Sequence, residues 1–295
     1  MCKTCGCSDD VLPTLTDPQT GETSSLNAIS EHGHAHAHMG SGSHSHHDEH
    51  QLSHSHSHSH SREDSSIHKH ESAATIRVEQ EILSKNDRFA DRNREWLADR
   101  NILALNLVSS PGAGKTTLLE RTIRELGIEL RIYVIEGDQA TDNDAQRIRA
   151  AGAHALQINT GAGCHLDAHM VAHGLEHLDP PTNSLVMIEN VGNLVCPALF
   201  DLGERAKIVV CSVTDGDDKP IKYPHMFHAS EVMILNKIDL LPYVEFDLER
   251  CLGYARQVNP RLRIFHVSAT RGDGLNDWYE WLCGQMPASS KRTSP

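Results

Sequence analysis

The chain has 295 residues, a formal net charge of −13 and an aromatic content of only 4%. Its acidic balance repels a phosphate backbone and excludes a nucleic-acid partner. No apolar run reaches the ~18 residues of a membrane span, and the opening MCKTCGCSDD lacks the apolar core of a signal peptide, so a cytoplasmic protein with no membrane partner is expected.

Residues 1–72 are expected to be a disordered, metal-binding tail. They are rich in His, Ser and Gly and nearly free of large apolar side chains, which leaves too little burial to offset the entropy of ordering. In a reducing compartment the eight cysteines of the chain are expected to be thiols or metal ligands rather than disulfides. Cys2, Cys5 and Cys7 can turn three sulfurs onto one ion, with the α-amino group close enough to be a fourth donor. Thiolates suit Zn²⁺ and, in a planar N/S set, Ni²⁺. A redox C-x-x-C would follow a strand and cap a helix, and this one has neither context. The histidines of 32–70 are interleaved with Ser, Ala and Gly inside the chain, unlike a contiguous terminal tag. Imidazoles, largely neutral at pH 7, bind borderline divalent ions, so this segment is expected to act as a metal reservoir.

Residues 73–288 are expected to form one nucleotide-binding domain with lead-in helices, followed by a flexible C-terminus, 289–295. Over 73–100 the apolar positions Ile76, Ile82, Leu83, Phe89, Trp96 and Leu97 predict one or two helices. From 102 onward, apolar runs alternate with helical ones. Strands are predicted at 102–108, 130–136, 154–159, 184–190, 206–213, 231–237 and 263–269. Runs without polar alternation indicate strands buried on both faces, so the fold class is α/β, a doubly wound, mostly parallel sheet.

LNLVSSPGAGKTTLLERTIRELG (105–127) combines an apolar strand, a glycine-containing turn and an amphipathic helix. Gly112, Ala113, Gly114, Lys115, Thr116 and Thr117 resemble a P-loop. Small residues let backbone N–H groups converge on phosphates, Lys115 reaches the β/γ oxygens, and the Thr116 hydroxyl can bind Mg²⁺. Ser109 stands where the motif's first glycine is usual. Two acidic stretches follow. Glu136, Asp138 and Asp144 come after the second strand, and Glu189 ends the fourth. Asp138 and Glu189 are the preferred Mg²⁺ pair, and with Lys115 they are the expected catalytic residues.

Cys164 and His165 follow the third strand, and Cys196 follows the Glu189 strand. A parallel sheet delivers such loops to one edge, so the three are expected to form a second Ni²⁺/Zn²⁺ site near the nucleotide. His165, His169, His173 and His177 recur every four residues on a predicted helix, and for the last three a polar stripe is the favoured interpretation. Cys211, Cys251 and Cys283 are expected to be core or incidental thiols. Further on, Asn236, Lys237 and Asp239 in NKID match the N-K-x-D motif of GTPases, whose Asp accepts from guanine N1–H and N2–H₂. Ser268 and Ala269 in SAT resemble a second guanine loop, so GTP is expected rather than ATP.

Taken together, SSPGAGKTT, IEGDQATDNDA, NTGAGCHLD, ENVGNLVCP, DGDDKPIKYP and NKIDLLPY resemble the HypB family of nickel-insertion GTPases over roughly 73–285. The resemblance implies a tight nickel site at Cys2, Cys5 and Cys7 and a weaker Ni/Zn site at Cys164, His165 and Cys196. It also implies slow GTP hydrolysis and a GTP-dependent homodimer to which residues such as Leu240 and Val244 contribute. Implied partners are a HypA-type nickel protein and the precursor of a [NiFe] hydrogenase large subunit. Two alternatives are a urease-type nickel-insertion GTPase, whose metal loop would read Cys-Pro-His where Cys196-Pro197-Ala198 stands here, and a non-catalytic nickel store.

Overall fold

The computed structural model describes residues 13–16, 23–26, 67–138, 143–161 and 163–287, with side chains in the first helix described from 77 onward. Nine strands form one sheet in the order β2-β1-β5-β4-β6-β3-β7-β8-β9. The strands are β1 (Thr14–Thr16), β2 (Thr23–Ser25), β3 (Leu103–Ser109), β4 (Ile132–Asp138), β5 (His154–Asn159), β6 (Leu185–Glu189), β7 (Ala206–Ser212), β8 (Val232–Asn236) and β9 (Arg263–His266). The helices are α1 (Ile67–Asp99), α2 (Lys115–Leu126), α3 (Asn143–Ala150), α4 (Ala168–Leu178), α5 (Lys219–Lys222), α6 (Pro224–Ala229), α7 (Leu248–Val258) and α8 (Leu275–Gln285).

Strands β3 to β9 all pair in parallel, so each hands its C-terminal loop to the same edge. The central strand β3 is buried at every position. Leu103, Leu105 and Leu107 face a core shared with α2 and α8. Ala104 faces a second core roofed by α1 and α4, and Val108 a third under α6 and α7. The core is mainly aliphatic, as the scarcity of aromatics predicts. The main exceptions are Phe227 and Trp278, both fully buried. Trp278 ties α8 to α2 by donating its Nε1–H to Thr122 Oγ1 at 3.1 Å.

All seven predicted strands are present, with ends displaced by up to three residues. Two expectations need correction. First, the tail was given no ordered element, yet β1 and β2 form an antiparallel hairpin on the edge of β5. Leu15 and Leu26 are both buried there, and pairing covers an edge that would otherwise stay open. Too short for periodicity to register, these strands are held by their partner. Second, the lead-in segment, expected as one or two helices from 73, is one helix that begins at Ile67, inside the expected tail 1–72. Its buried stripe is Asn86, Ala90, Asn93 and Leu97, whereas Ile82 is exposed. Cys2, Cys5 and Cys7, most of the histidine segment and residues 289–295 lie outside the described residues.

The two asparagines of that stripe explain how α1 docks. Asn86 accepts from Ala168 N and donates to Asp201 O, at 2.9 and 2.8 Å. Asn93 donates to Ala168 O and Leu202 O, at 2.8 and 2.9 Å. Buried polar groups are costly unless satisfied, so this pattern fixes register more tightly than apolar contact alone. Asn93→Ala should lower stability by about 1–3 kcal/mol by stranding two buried carbonyls. Urea unfolding that leaves the midpoint and slope unchanged would show that the clamp contributes nothing.

Candidate functional site

The loop Ser110–Gly114 leaves β3 and turns into α2. Two of its backbone positions require glycine. Gly112 has φ +77° and Gly114 φ +94°, and a Cβ on Gly114 would sit 2.5 Å from Asn236 Nδ2. Lys115 is buried and donates to Ser109 Oγ at 2.8 Å. Ser109 lies within the strand, so a side chain is tolerated where the motif usually has glycine, and its hydroxyl holds the lysine. Ser110 Oγ donates to Asp215 Oδ2 at 2.7 Å, anchoring the loop from the β7 side. Pro111 to Thr117 line a cleft of about 560 Å³ together with Asp138, Asp144, Arg147, Glu189, Val191, Gly192 and Lys237.

The N-K-x-D segment clasps this loop from the other side. Asn236 Nδ2 donates to Ala113 O at 3.0 Å. Its Oδ1 accepts from Lys237 N at 2.8 Å and Ala269 N at 3.0 Å, joining NKID to SAT. Lys237, at φ 62°, extends its Nζ to Gly112 O at 2.7 Å. Ser268 is fully buried, with its Oγ accepting from Arg271 N. Asp239 lies in the 3₁₀ turn Ile238–Tyr243, on the same edge.

Acidic groups converge beside Lys115. Register pairs Glu136 with Glu189 across β4 and β6, and both are buried. Thr116 Oγ1 donates to Glu189 Oε1 at 2.7 Å. Glu136 Oε2 and Glu189 Oε2 have no hydrogen-bond partner. Burial first, then the charges of Glu189, Asp138 and Asp144, push the Glu136 carboxyl up to about 9. Burial raises Glu189 as well, opposed by Lys115 and the Thr116 hydroxyl. Two orphaned buried carboxylate oxygens, a hydroxyl and Asp138 at the rim are an oxygen donor set that suits a hard cation such as Mg²⁺.

The structure brings Cys164, His165 and Cys196 together at one place on the sheet edge. Among the described residues, Cys164, His165 and Cys196 place their ligand atoms within 4.8 Å of one another. The two sulfurs are 3.2 Å apart, and Cys164 Sγ lies 3.6 Å from His165 Nδ1. His165 is buried against the Phe200 ring at 4.1 Å. Burial lowers its pKa, which keeps the imidazole neutral and able to ligate. His165 precedes α4 rather than lying on it. His169 and His173 do share a face of α4, with Nε2 atoms 3.2 Å apart. Cys211 and Cys251 are buried core thiols and Cys283 is half-buried.

Sequence reasoning passed over several residues here. Glu136 stands among the acidic candidates of the sequence but outside the preferred pair; its burial opposite Glu189 is a tertiary fact. Arg147 was not singled out, yet it lines the cleft and bonds Asp144 and Glu120 at 2.9 and 2.8 Å. Asn190 and Asn193 sit in the quoted ENVGN segment but carried no motif of their own. Leu240 and Val244 are half-buried against the third core, whereas Tyr243 between them is 82% exposed.

The fold and this cleft define a P-loop nucleotide-binding protein of the GTPase type. Residues 103–266 match the CobW/HypB/UreG nucleotide-binding domain. The hydrogenase maturation factor HypB of Azotobacter vinelandii is 58% identical over 207 residues, covering 70% of this chain and 68% of its own. The Escherichia coli K12 factor of the same name is 57% identical over 207 residues, covering 70% and 71%. The crystal structure of HypB from Helicobacter pylori in complex with nickel matches with TM-score 0.65 at 35% identity, covering 72% of this chain and 99% of that one. The Archaeoglobus fulgidus HypB structure matches with TM-score 0.65 at 40% identity, covering 68% and 98%. The chain belongs to the HypB family of hydrogenase maturation factors.

Gly114→Ala should destabilise the fold by about 1–3 kcal/mol through its left-handed backbone and displace Asn236. Unfolding free energy and nucleotide affinity measured on the purified variant check both effects; wild-type values for both would contradict the close approach described.

Proposed function

We propose that the chain binds GTP with Mg²⁺, hydrolyses it slowly, and uses the change of nucleotide to load and release Ni²⁺ destined for the large subunit of a [NiFe] hydrogenase. The observation that carries this reading is a single short loop. Glu189, bonded to Thr116 of the phosphate loop, and Cys196, 3.2 Å from Cys164 Sγ, stand at its two ends. Ni²⁺ is the cargo, and Cys164, His165 and Cys196 are its proposed holders, with Zn²⁺ competing for the same thiolate–imidazole set.

Phosphates would lie against the N–H groups of Gly112 to Thr117 and the Lys115 ammonium, with guanine read by Asn236, Asp239 and the Ser268–Ala269 loop. Thr116, Glu189 and Asp138 would hold Mg²⁺, which supplies charge neutralisation between the transferring phosphate oxygens. The carboxyl groups of Glu136 on β4 and Glu189 on β6 lie side by side in a buried corner and would present fixed oxygen donors to the ion. Loss of the γ-phosphate would relax Glu189 and, through its loop, the spacing of the two sulfurs. Cys2, Cys5 and Cys7 remain a proposed tight nickel site, and the histidine segment a proposed reservoir. The family suggests as partners a HypA-type nickel protein, the large-subunit precursor and, with GTP bound, a second copy of this chain. No described helix is long and apolar enough to cross a membrane, in keeping with a cytoplasmic role.

Two measurements test the reading. Ni²⁺ affinity of the full chain, titrated with GDP and with a non-hydrolysable GTP analogue, should differ by at least about fivefold, in the range of ordinary coupling energies; Cys164→Ser and Cys196→Ser should abolish the difference. Equal wild-type affinities would refute coupling. Separately, Asp239→Asn should weaken GTP binding by about tenfold or more, or 1.4 kcal/mol, and narrow the preference over ATP. An unaltered preference would remove Asp239 from base reading.

A further inference from the structure

We infer that Asn190 is a positioning residue that transmits the state of the nucleotide site to the metal cluster; the inference rests on the coupling proposed above. Asn190 directly follows Glu189 and is 2% exposed. Its backbone N–H donates to Leu107 O at 3.0 Å, locking it to the strand that carries the phosphate loop. Its Oδ1 accepts from Leu166 N at 3.1 Å and from Val191 N at 3.0 Å. Leu166 is the residue immediately after Cys164 and His165. One amide therefore joins the strand end of the buried carboxylate to the loop of two cluster ligands.

The connection continues on the other side. Asn190 Nδ2 points to Asn106 Oδ1 at 3.4 Å, and Asn106 Nδ2 donates to Glu204 Oε1 at 3.1 Å. Glu204 pairs with Lys207 at 3.0 Å, and its second oxygen accepts from Leu202 N at 2.7 Å. That loop descends from Cys196 through Phe200, whose ring covers His165. Hence both metal loops hang from one buried polar chain, and Asn190 is its link to Glu189. Two further contacts make the region stiff. A Cβ on Gly192 would meet Pro111 at 3.1 Å, and one on Gly137 would meet Leu166 at 2.7 Å. Asn193, on the same loop, donates from Nδ2 to Cys164 O at 3.3 Å while its Oδ1 accepts from Val195 N at 2.8 Å. A displacement of Glu189 cannot be absorbed by slack packing here, so it moves the Leu166 amide and the cysteine ahead of it.

The test is Ni²⁺ titration of the full chain with GDP and with a GTP analogue, for wild type, Asn190→Ala, Asn190→Asp and Asn193→Asp. Asn190→Ala should bring the ratio of the two Ni²⁺ affinities to within about twofold of one, while affinity for the GTP analogue stays within about threefold of wild type. Asn190→Asp keeps the acceptor for Leu166 N and Val191 N but loses the donor to Asn106 Oδ1, and should recover the part of the ratio carried by the Leu166 branch, leaving it above that of Asn190→Ala. Asn193→Asp keeps the bond to Val195 N and loses the donor to Cys164 O, and should reduce the ratio in part. A coupled wild type with an equally coupled Asn190→Ala overturns the assignment and leaves the coupling standing. An uncoupled wild type overturns the coupling and the assignment with it. If Asn190→Ala also loses nucleotide binding through misfolding, Asn193→Asp decides, and an undiminished ratio there overturns the inference.

Discussion

The parallel pairing of β3, β4 and β6 is the constraint on which everything else depends. It sets Leu107 beside Glu189 and Glu189 beside Glu136, so that two carboxyl groups end in one dry corner next to Lys115. In a sheet with a two-residue repeat, a slip of one position would send Glu189 to the opposite face and break the corner. Continuous apolar runs in β3 and β6, buried throughout, hold that register against slippage. The same pairing aligns every C-terminal loop on one edge, which places the Cys164, His165 and Cys196 cluster on the same edge as the phosphate loop without any element dedicated to joining them.

Most of this edge was legible in the sequence. The phosphate loop could be recognised because its chemistry is local: glycines at two positive-φ turns, a lysine and a threonine at a helix start. N-K-x-D could be recognised for the same reason. The meeting of Cys164 and Cys196 required one more step, the inference of a parallel sheet, and that inference came from strand composition and from the alternation of apolar with helical runs. What escaped notice was polar and buried. The Asn86 and Asn93 stripe of α1 defeats apolar periodicity, because two of its four inward positions are amides. Glu136 and Asn190 derive their importance from partners distant in sequence. The β1–β2 hairpin escaped because three-residue strands carry no usable period, and only an open neighbouring edge gives them reason to form.

The site also shows where the fold yields stability to chemistry. Glu136, with its carboxyl near 9, and Glu189, raised as well, are buried in a corner where each has an oxygen lacking a partner. Burying a polar atom without a partner costs free energy. Lys115 and Thr116 line the same cleft as Glu189, and the Thr116 hydroxyl already bonds Glu189 Oε1. The cluster of Cys164, His165 and Cys196 is milder in this respect: its thiols are half-exposed and its imidazole is kept neutral.

The hairpin has a geometric consequence for the rest of the chain. Because β1 runs antiparallel to β5, Thr14 pairs with Asn159 at the sheet edge that also bears Cys164. Ser25 returns to that edge beside Thr14. The hairpin is thus a mooring: it fastens Thr14 and Ser25 to the end of the sheet that carries the Cys164 loop, and it closes the β5 edge.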